Sequence, residues 1–142
     1  MSSGFKVRYA TQDDKSFWVA LDKHISASEF DIKVRDKRCY IISDGDTPIG
    51  VMRYNLFWDS IPFLTLIELD GSHHRRGFGT QAILFWEAEM HDLGYAMVMT
   101  STRVDEDAQH FYRQLGYVER GSIFLDGTPL SQPQEMFMLK VL

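Results

Sequence analysis

The sequence predicts a mixed α/β fold, antiparallel at its front and parallel in its middle. Three observations predict it. Short apolar runs with strand character alternate with stretches whose apolar residues recur every three to four positions. The turn-forming DGDTPIG separates two such runs, CYIIS and GVMRYNLFW, as in an antiparallel hairpin. The most apolar run, IPFLTLIELD (61–70), leads into a long helical stretch and then a second buried-looking run, YAMVMTST (95–102). Residues 62–101 thus have the strand, helix, strand order for which a right-handed parallel crossover is expected.

Taken in order, FKVRYA (5–10) alternates as a first strand. Thr11 then offers an N-cap, with Asp13 and Asp14 in the first turn, before Phe17, Trp18 and Leu21 recur at helical spacing. A second short helix is expected around residues 28–36. IPFLTLIELD is the expected central strand. In TQAILFWEAEMHDLG (80–94) Ile83, Leu84, Trp86 and Met90 follow the 3.6 period, and Gly94 suits the terminating position. DEDAQHFYRQLG (105–116) reads as a further helix stopped by Gly116. YVERGSIFL and EMFMLKVL read as closing strands around the loop DGTPLSQPQ.

A length of 142 residues suits one domain, 1–142, with enough chain to bury a core. The 15 Lys and Arg against 20 Asp and Glu give a net charge of -5, which argues against a nucleic-acid partner unless a local basic patch exists. The lone Cys39 has no partner for a disulfide and no CxxC pair for zinc, as suits a reducing cytosol, and it reads as a small core residue. MSSGFKVRYA lacks a signal-peptide core, and no apolar run approaches the roughly 20 residues that span a bilayer. A soluble cytoplasmic protein with no membrane partner is the expectation.

The stretch HHRRGFGT (73–80), just ahead of the long helix, is the chemical feature of the chain. Adjacent histidines without an HExxH pattern or a cysteine partner make poor metal ligands, so no metal site is expected. The helix that follows carries Glu87, Glu89 and Asp92 and no Lys or Arg, which does not suit nucleic acid. A phosphate cradle suits it better. Glycines let the backbone approach an anion, the first helical turn presents unpaired N–H groups, and Arg75 and Arg76 add charge. Gly77, Gly79 and Ala82 formally match the dinucleotide fingerprint G-x-G-x-x-A. Against it, the next strand ends in hydroxyls rather than an acid, antiparallel strands precede it, and basic residues lead into it. A surface turn punctuated by glycines is the plain alternative.

Two segments together resemble the GCN5-related N-acetyltransferase superfamily. The first is HRRGFG, in which His74 stands where the family has Gln or Arg, followed by Gly77 and Gly79. The second is DEDAQHFYRQLGY, in which Ala108, Tyr112 and Gly116 recur at four-residue steps ahead of Tyr117, with Asp105 where Asn is frequent. The resemblance covers nearly the whole element order. It implies a central, mostly antiparallel sheet with a splayed parallel pair in its middle and about four helices.

What it implies chemically is acetyl-CoA as cosubstrate, without a metal. Its pyrophosphate would rest on the segment His74, Arg75, Arg76, Gly77, Phe78, Gly79 and Thr80, chiefly on backbone N–H groups. Its pantetheine arm would run beside the strand ending in Ile67, Glu68 and Leu69, where a backbone N–H near Leu69 would bind the thioester carbonyl and stabilise developing oxyanion charge. An amine would attack directly in a ternary complex, so no nucleophilic triad is required. Glu68, a carboxylate in an otherwise apolar strand, is the candidate base, with His24 and His110 in reserve. Tyr112 occupies the general-acid position, and it equally suits a core aromatic on the inner face of its helix. Asp105 is a further candidate cofactor residue. The acceptor, a small-molecule or peptide amine, would lie against early helices and hairpins that include Trp18, Phe30, Phe57, Trp58 and Asp59, although the same residues suit ordinary packing. A homodimer is a further expectation. The competing functions are a non-catalytic acetyl-CoA or CoA sensory module of the same fold and a small dinucleotide-binding protein.

Overall fold

In the computed structural model, which describes residues 4–73 and 77–142, the chain runs β1 (Phe5–Tyr9), α1 (Lys15–Leu21), α2 (Ala27–Asp36), β2 (Cys39–Asp44), β3 (Thr47–Phe57), β4 (Ile61–Leu69), α3 (Phe78–Asp92), β5 (Met97–Arg103), α4 (Ala108–Gln114), β6 (Val118–Ile123) and β7 (Glu135–Val141). The strands form one sheet in the order β1-β2-β3-β4-β5-β7-β6. β1/β2, β2/β3, β5/β7 and β6/β7 pair antiparallel, and β4/β5 pair parallel. This is the mixed α/β architecture expected, with the parallel pair where the strand, helix, strand order placed it. The β4/β5 pairing covers Phe63↔Met99 and Leu64↔Thr100 and stops there. Among the described residues no helix is long and apolar enough to cross a membrane.

The chain divides into two compact units. One comprises the described residues up to Asn55 together with Thr65–Ala88, the other Leu56–Leu64 and Glu89–Leu142. In the first, the alternation of β2 sends Cys39 and Ile41 to one side, where they meet Trp18, Phe30 and Val51 in a fully buried cluster. Each such large apolar side chain contributes about 1.5–3 kcal/mol by leaving water. Tyr40, between them in sequence, belongs to a separate aromatic group with Tyr54 and Phe85, and Tyr54 packs on Trp86 of α3. The helices begin and end by local chemistry. Ser26 Oγ accepts the Glu29 N–H at 3.2 Å to cap α2, and Lys37 closes it in the left-handed conformation at φ 57°. Thr11 and its acids form a short 3-10 turn over Gln12–Asp14 before α1 starts, with Asp14 Oδ2 taking the Thr11 N–H at 2.8 Å. In α3 the inward residues are Phe78, Ala82, Ile83, Trp86 and Met90, whereas Leu84, expected on that face, is 47% exposed.

A buried polar knot ties the end of α1 to β3. The Asp22 carboxylate receives Arg53 Nε at 2.8 Å, Trp18 Nε1 at 3.0 Å and the His24 N–H at 3.0 Å. Burial pulls this carboxyl upward, but the three donors outweigh it and hold it below the usual aspartate range. Cys39 is buried, and burial pushes its thiol up to about 12, which leaves it an inert packing residue at ordinary pH.

In the second unit, β7 lies between β5 and β6, so β6 is an edge of the sheet. A register shift between Glu119 and Gly121 bends that edge, with Gly121 at φ 143°, the kind of irregularity that protects exposed edges from pairing. Phe57, Phe63 and Phe137 form a ring cluster, each pair 6.1–6.4 Å apart. The β3–β4 turn places both Trp58 (φ 55°) and Asp59 (φ 59°) in the left-handed region, closed by the Ser60 N–H on the Phe57 carbonyl at 3.1 Å.

Candidate active site

In the first unit the candidate residues lie at the end of β4 and the start of α3. Ile67, Glu68 and Leu69 are all half-buried at the close of β4. Gly50 of β3 is what lets that end approach. A Cβ built there would meet Leu69 Cδ2 and stand 2.9 Å from the Glu68 carbonyl oxygen, closer than real side chains come. The Asp70 N–H then bonds the Ile49 carbonyl at 2.8 Å, and a 3-10 turn over Gly71–His73 follows. Nothing in the sequence pattern had marked Gly50, whose signal is only a glycine at the start of a strand-like run.

His74, Arg75 and Arg76 lie outside the described residues. Gly77 stands at φ 81° with open space where a Cβ would be, a backbone state that favours glycine. Its carbonyl accepts the Gln81 N–H at 3.1 Å, so Gly77 caps α3 and the N–H groups of Phe78, Gly79 and Thr80 fall in the turn that has no partners inside the helix. The Phe78 ring is buried and stacks with Phe5 at 6.4 Å. Fifteen residues of helix behind these amides supply a favourable dipole for an anion.

The second unit, by itself, holds Tyr112, Thr100 and Asp105. Tyr112 is 6% exposed on α4, with its ring edge-on to Tyr117 at 5.4 Å. Burial pushes its phenol up to about 12, and a hydrogen bond with the Thr100 hydroxyl works against that rise. The phenol is therefore neutral and proton-bearing at physiological pH. Thr100, 2% exposed, donates from Oγ1 to the Leu64 carbonyl at 3.0 Å. Its only signal in the amino-acid sequence is a hydroxyl within YAMVMTST. Asp105 is exposed, and Arg103 spans both its oxygens at 3.0 and 2.8 Å. That hydrogen bonding holds the carboxyl below its ordinary range.

Of the residues considered for the acceptor, Trp18 and Phe30 are fully buried against one another at 5.5 Å. They are core residues, because the apolar faces of α1 and α2 have to cover β2. Phe57 is half-buried, and Trp58 is 78% exposed at the hairpin tip beside exposed Asp59. His24 and His110 are both exposed. Among the described residues no group of three His, Cys, Asp or Glu side chains is placed to hold a metal ion.

The sequence profile described as "Acetyltransferase (GNAT) family" matches residues 7–117. No curated protein matches the chain at the sequence level. Several solved structures share the fold. One is a GNAT family acetyltransferase from Elizabethkingia anophelis with acetyl-CoA bound, at TM-score 0.79 and 12% identity over 98% of this chain and 99% of that one. Another is Arabidopsis thaliana Naa50 in complex with the bisubstrate analogue CoA-Ac-MVNAL, at TM-score 0.81 and 9% identity over 98% and 99%. A third is the spermidine/spermine N-acetyltransferase SpeG from Vibrio cholerae, at TM-score 0.78 and 16% identity over 97% and 92%.

Proposed function

Because the chain belongs to the GNAT acetyltransferase family, we propose that it transfers the acetyl group of acetyl-CoA to a primary amine of a small molecule or peptide, by direct attack within a ternary complex. The observation that carries this is Gly77, held at φ 81° as the cap of a 15-residue helix, four positions after the turn that ends at His73. The amides of Phe78, Gly79 and Thr80, with Arg75 and Arg76 in the same segment, suit a diphosphate. When bound, acetyl-CoA supplies an activated acyl group and a thiolate leaving group.

The chain's own residues then have four tasks. The backbone of Ile67 and Leu69 pairs with the extended arm of the cofactor, and an N–H at Leu69 stabilises charge growing on the carbonyl oxygen. Glu68 takes the proton that an alkylammonium, with a pKa near 10, must lose before it can attack. Tyr112 holds a proton at its phenol oxygen and donates it toward the departing sulfur. His74 and Asp105, the latter paired with Arg103, are the further residues proposed to contact the cofactor. The amine as acceptor is supported by the neighbours: one is bound to an acetylated peptide conjugate of CoA and another is named for polyamines. A cytoplasmic protein acting as a homodimer completes the proposal.

The test is thiol release from acetyl-CoA over a panel of polyamines, amino acids and peptides with free N-termini. Release above the hydrolytic background with at least one class is expected. Binding of acetyl-CoA with no amine-dependent release would favour the sensory module instead.

A further inference from the structure

Alternation along β7 splits its side chains between two environments. Met136 and Met138 are buried, whereas Glu135 and Phe137, on the opposite face, are half-buried. Phe137 lies opposite Ser101 in the β5/β7 ladder, and its ring closes the cluster with Phe57 and Phe63. Trp58, exposed and packed on Phe57 at 4.8 Å, carries that cluster out to solvent. On the same face as Phe137, the Glu135 carboxylate accepts the Ser101 hydroxyl at 2.6 Å and the Gln132 side-chain amide at 3.0 Å. The shorter distance is that of a hydroxyl on a charged oxygen. Both donors are neutral, so they orient the carboxylate without cancelling its charge. Arg103, opposite Glu135 in the ladder, is committed to both oxygens of Asp105. These residues all belong to the second unit, and Ser101 is the first β5 residue beyond the stretch paired with β4.

A fixed anion beside aromatic surface suits an amphipathic cation. The rings shelter methylene groups and their faces attract positive charge. A carboxylate has about four acceptor sites, so Glu135 keeps capacity for an ammonium after its two donors are counted. We infer that this patch selects an acceptor whose aliphatic chain carries a second positive charge: the chain lies against Phe57, Phe63 and Phe137, and Glu135 holds the ammonium that does not react. The inference rests on the proposed acetylation of amines. A group held as a cation by Glu135 keeps its proton, so the attacking amine is the other one. An α,ω-diamine and a lysine side chain in a short peptide present this same chemistry.

The test compares diamines with monoamines of equal length, and peptides bearing lysine beside a free N-terminus with their norleucine counterparts. Each comparison is made in the parent and in Glu135→Gln, which keeps the shape and removes the charge. In at least one pair the dication should show a kcat/KM about 10-fold higher, mostly through KM, as expected for one charge-assisted bond. The pair that shows it identifies the source. Glu135→Gln should erase the advantage and leave the monocation and the KM for acetyl-CoA unchanged, and Glu135→Asp, which keeps the charge, should retain part of it. The comparison within the parent requires no variant to fold. Calorimetric titration of the same dications in the presence of CoA, which has no acetyl group to give, separates the inference from the reading beneath it. Dication binding weakened about 10-fold by Glu135→Gln, in a protein that releases no thiol with any amine, would support the site and remove only the acetylation reading. Equal kcat/KM within both pairs, an advantage that survives Glu135→Gln, or dication binding that is absent or indifferent to that substitution would overturn the inference.

Discussion

Alkaline destabilisation should carry the signature of Tyr112. Its phenol is pushed from 10 up to about 12 by burial, so the folded state keeps a proton that the unfolded chain releases above pH 10. The sign follows directly: the contribution is fully present below pH 10, declines as pH rises, and is gone above about 12. Two pKa steps correspond to about 3 kcal/mol in full, and at pH 11 about half of it, roughly 1.4 kcal/mol, should be missing. Other tyrosines and lysines titrate in the same range, so the measurement is a difference. Urea unfolding of the parent and of Tyr112→Phe at pH 8 and pH 11 should show the parent losing about 1.4 kcal/mol more than the variant. Equal losses in the two proteins would mean that the hydroxyl is not held neutral in a buried site. The same value bears on catalysis. A thiol of the cysteine kind has a pKa near 8.5, so full transfer from an unassisted phenol near 12 would run uphill.

Removal of the carboxylate in Asp22→Ala leaves the Arg53 guanidinium buried without its counter-charge; a loss of about 3–5 kcal/mol is expected in urea unfolding, and a loss below about 1 kcal/mol would contradict the buried knot. Because the Asp22 pKa is depressed, the stability from this group is present above the ordinary carboxyl range near 4 and is lost as pH falls through its folded value. The parent should therefore fall toward the Asp22→Asn protein in stability as the medium is acidified, with the gap unchanged if the assignment is wrong. Gly50→Val should force the Glu68 carbonyl and Leu69 away from β3, with an overpacking cost of about 1–3 kcal/mol and roughly a 10-fold or greater drop in kcat/KM for acetyl-CoA from misplacement of the strand end; steady-state kinetics beside a thermal melt would check both. Tyr112→Phe should lower kcat by about 100-fold or more, measured by thiol release at saturating acetyl-CoA, and equal turnover would remove the general-acid assignment.

The parts of the fold with strong periodicity were legible from residues alone. The apolar run CYIIS and the 3.6 spacing of Ile83, Trp86 and Met90 each put side chains where the core needed them. Leu84 misled because an apolar residue one step from the inner face satisfies the same pattern by composition, and only the angular position of the helix sends it outward. Trp18 and Phe30 could be read as pocket or core; the structure shows core, since Trp18 has its one polar atom bonded to buried Asp22. Gly77 was legible because its backbone state and helix cap are local properties. Gly50, Thr100 and the left-handed Trp58 were not. Each depends on a partner far along the chain or on a turn that the residue type does not favour, and pattern reading has no access to either.

The amides that open α3 are the centre of the proposed cofactor site. A crystal structure of the protein with CoA is the direct measurement. The diphosphate oxygens should lie within hydrogen-bond distance of the Phe78, Gly79 and Thr80 N–H groups, with the sulfur end beside the Tyr112 hydroxyl. A diphosphate bound elsewhere, with those amides facing only solvent, would contradict the account.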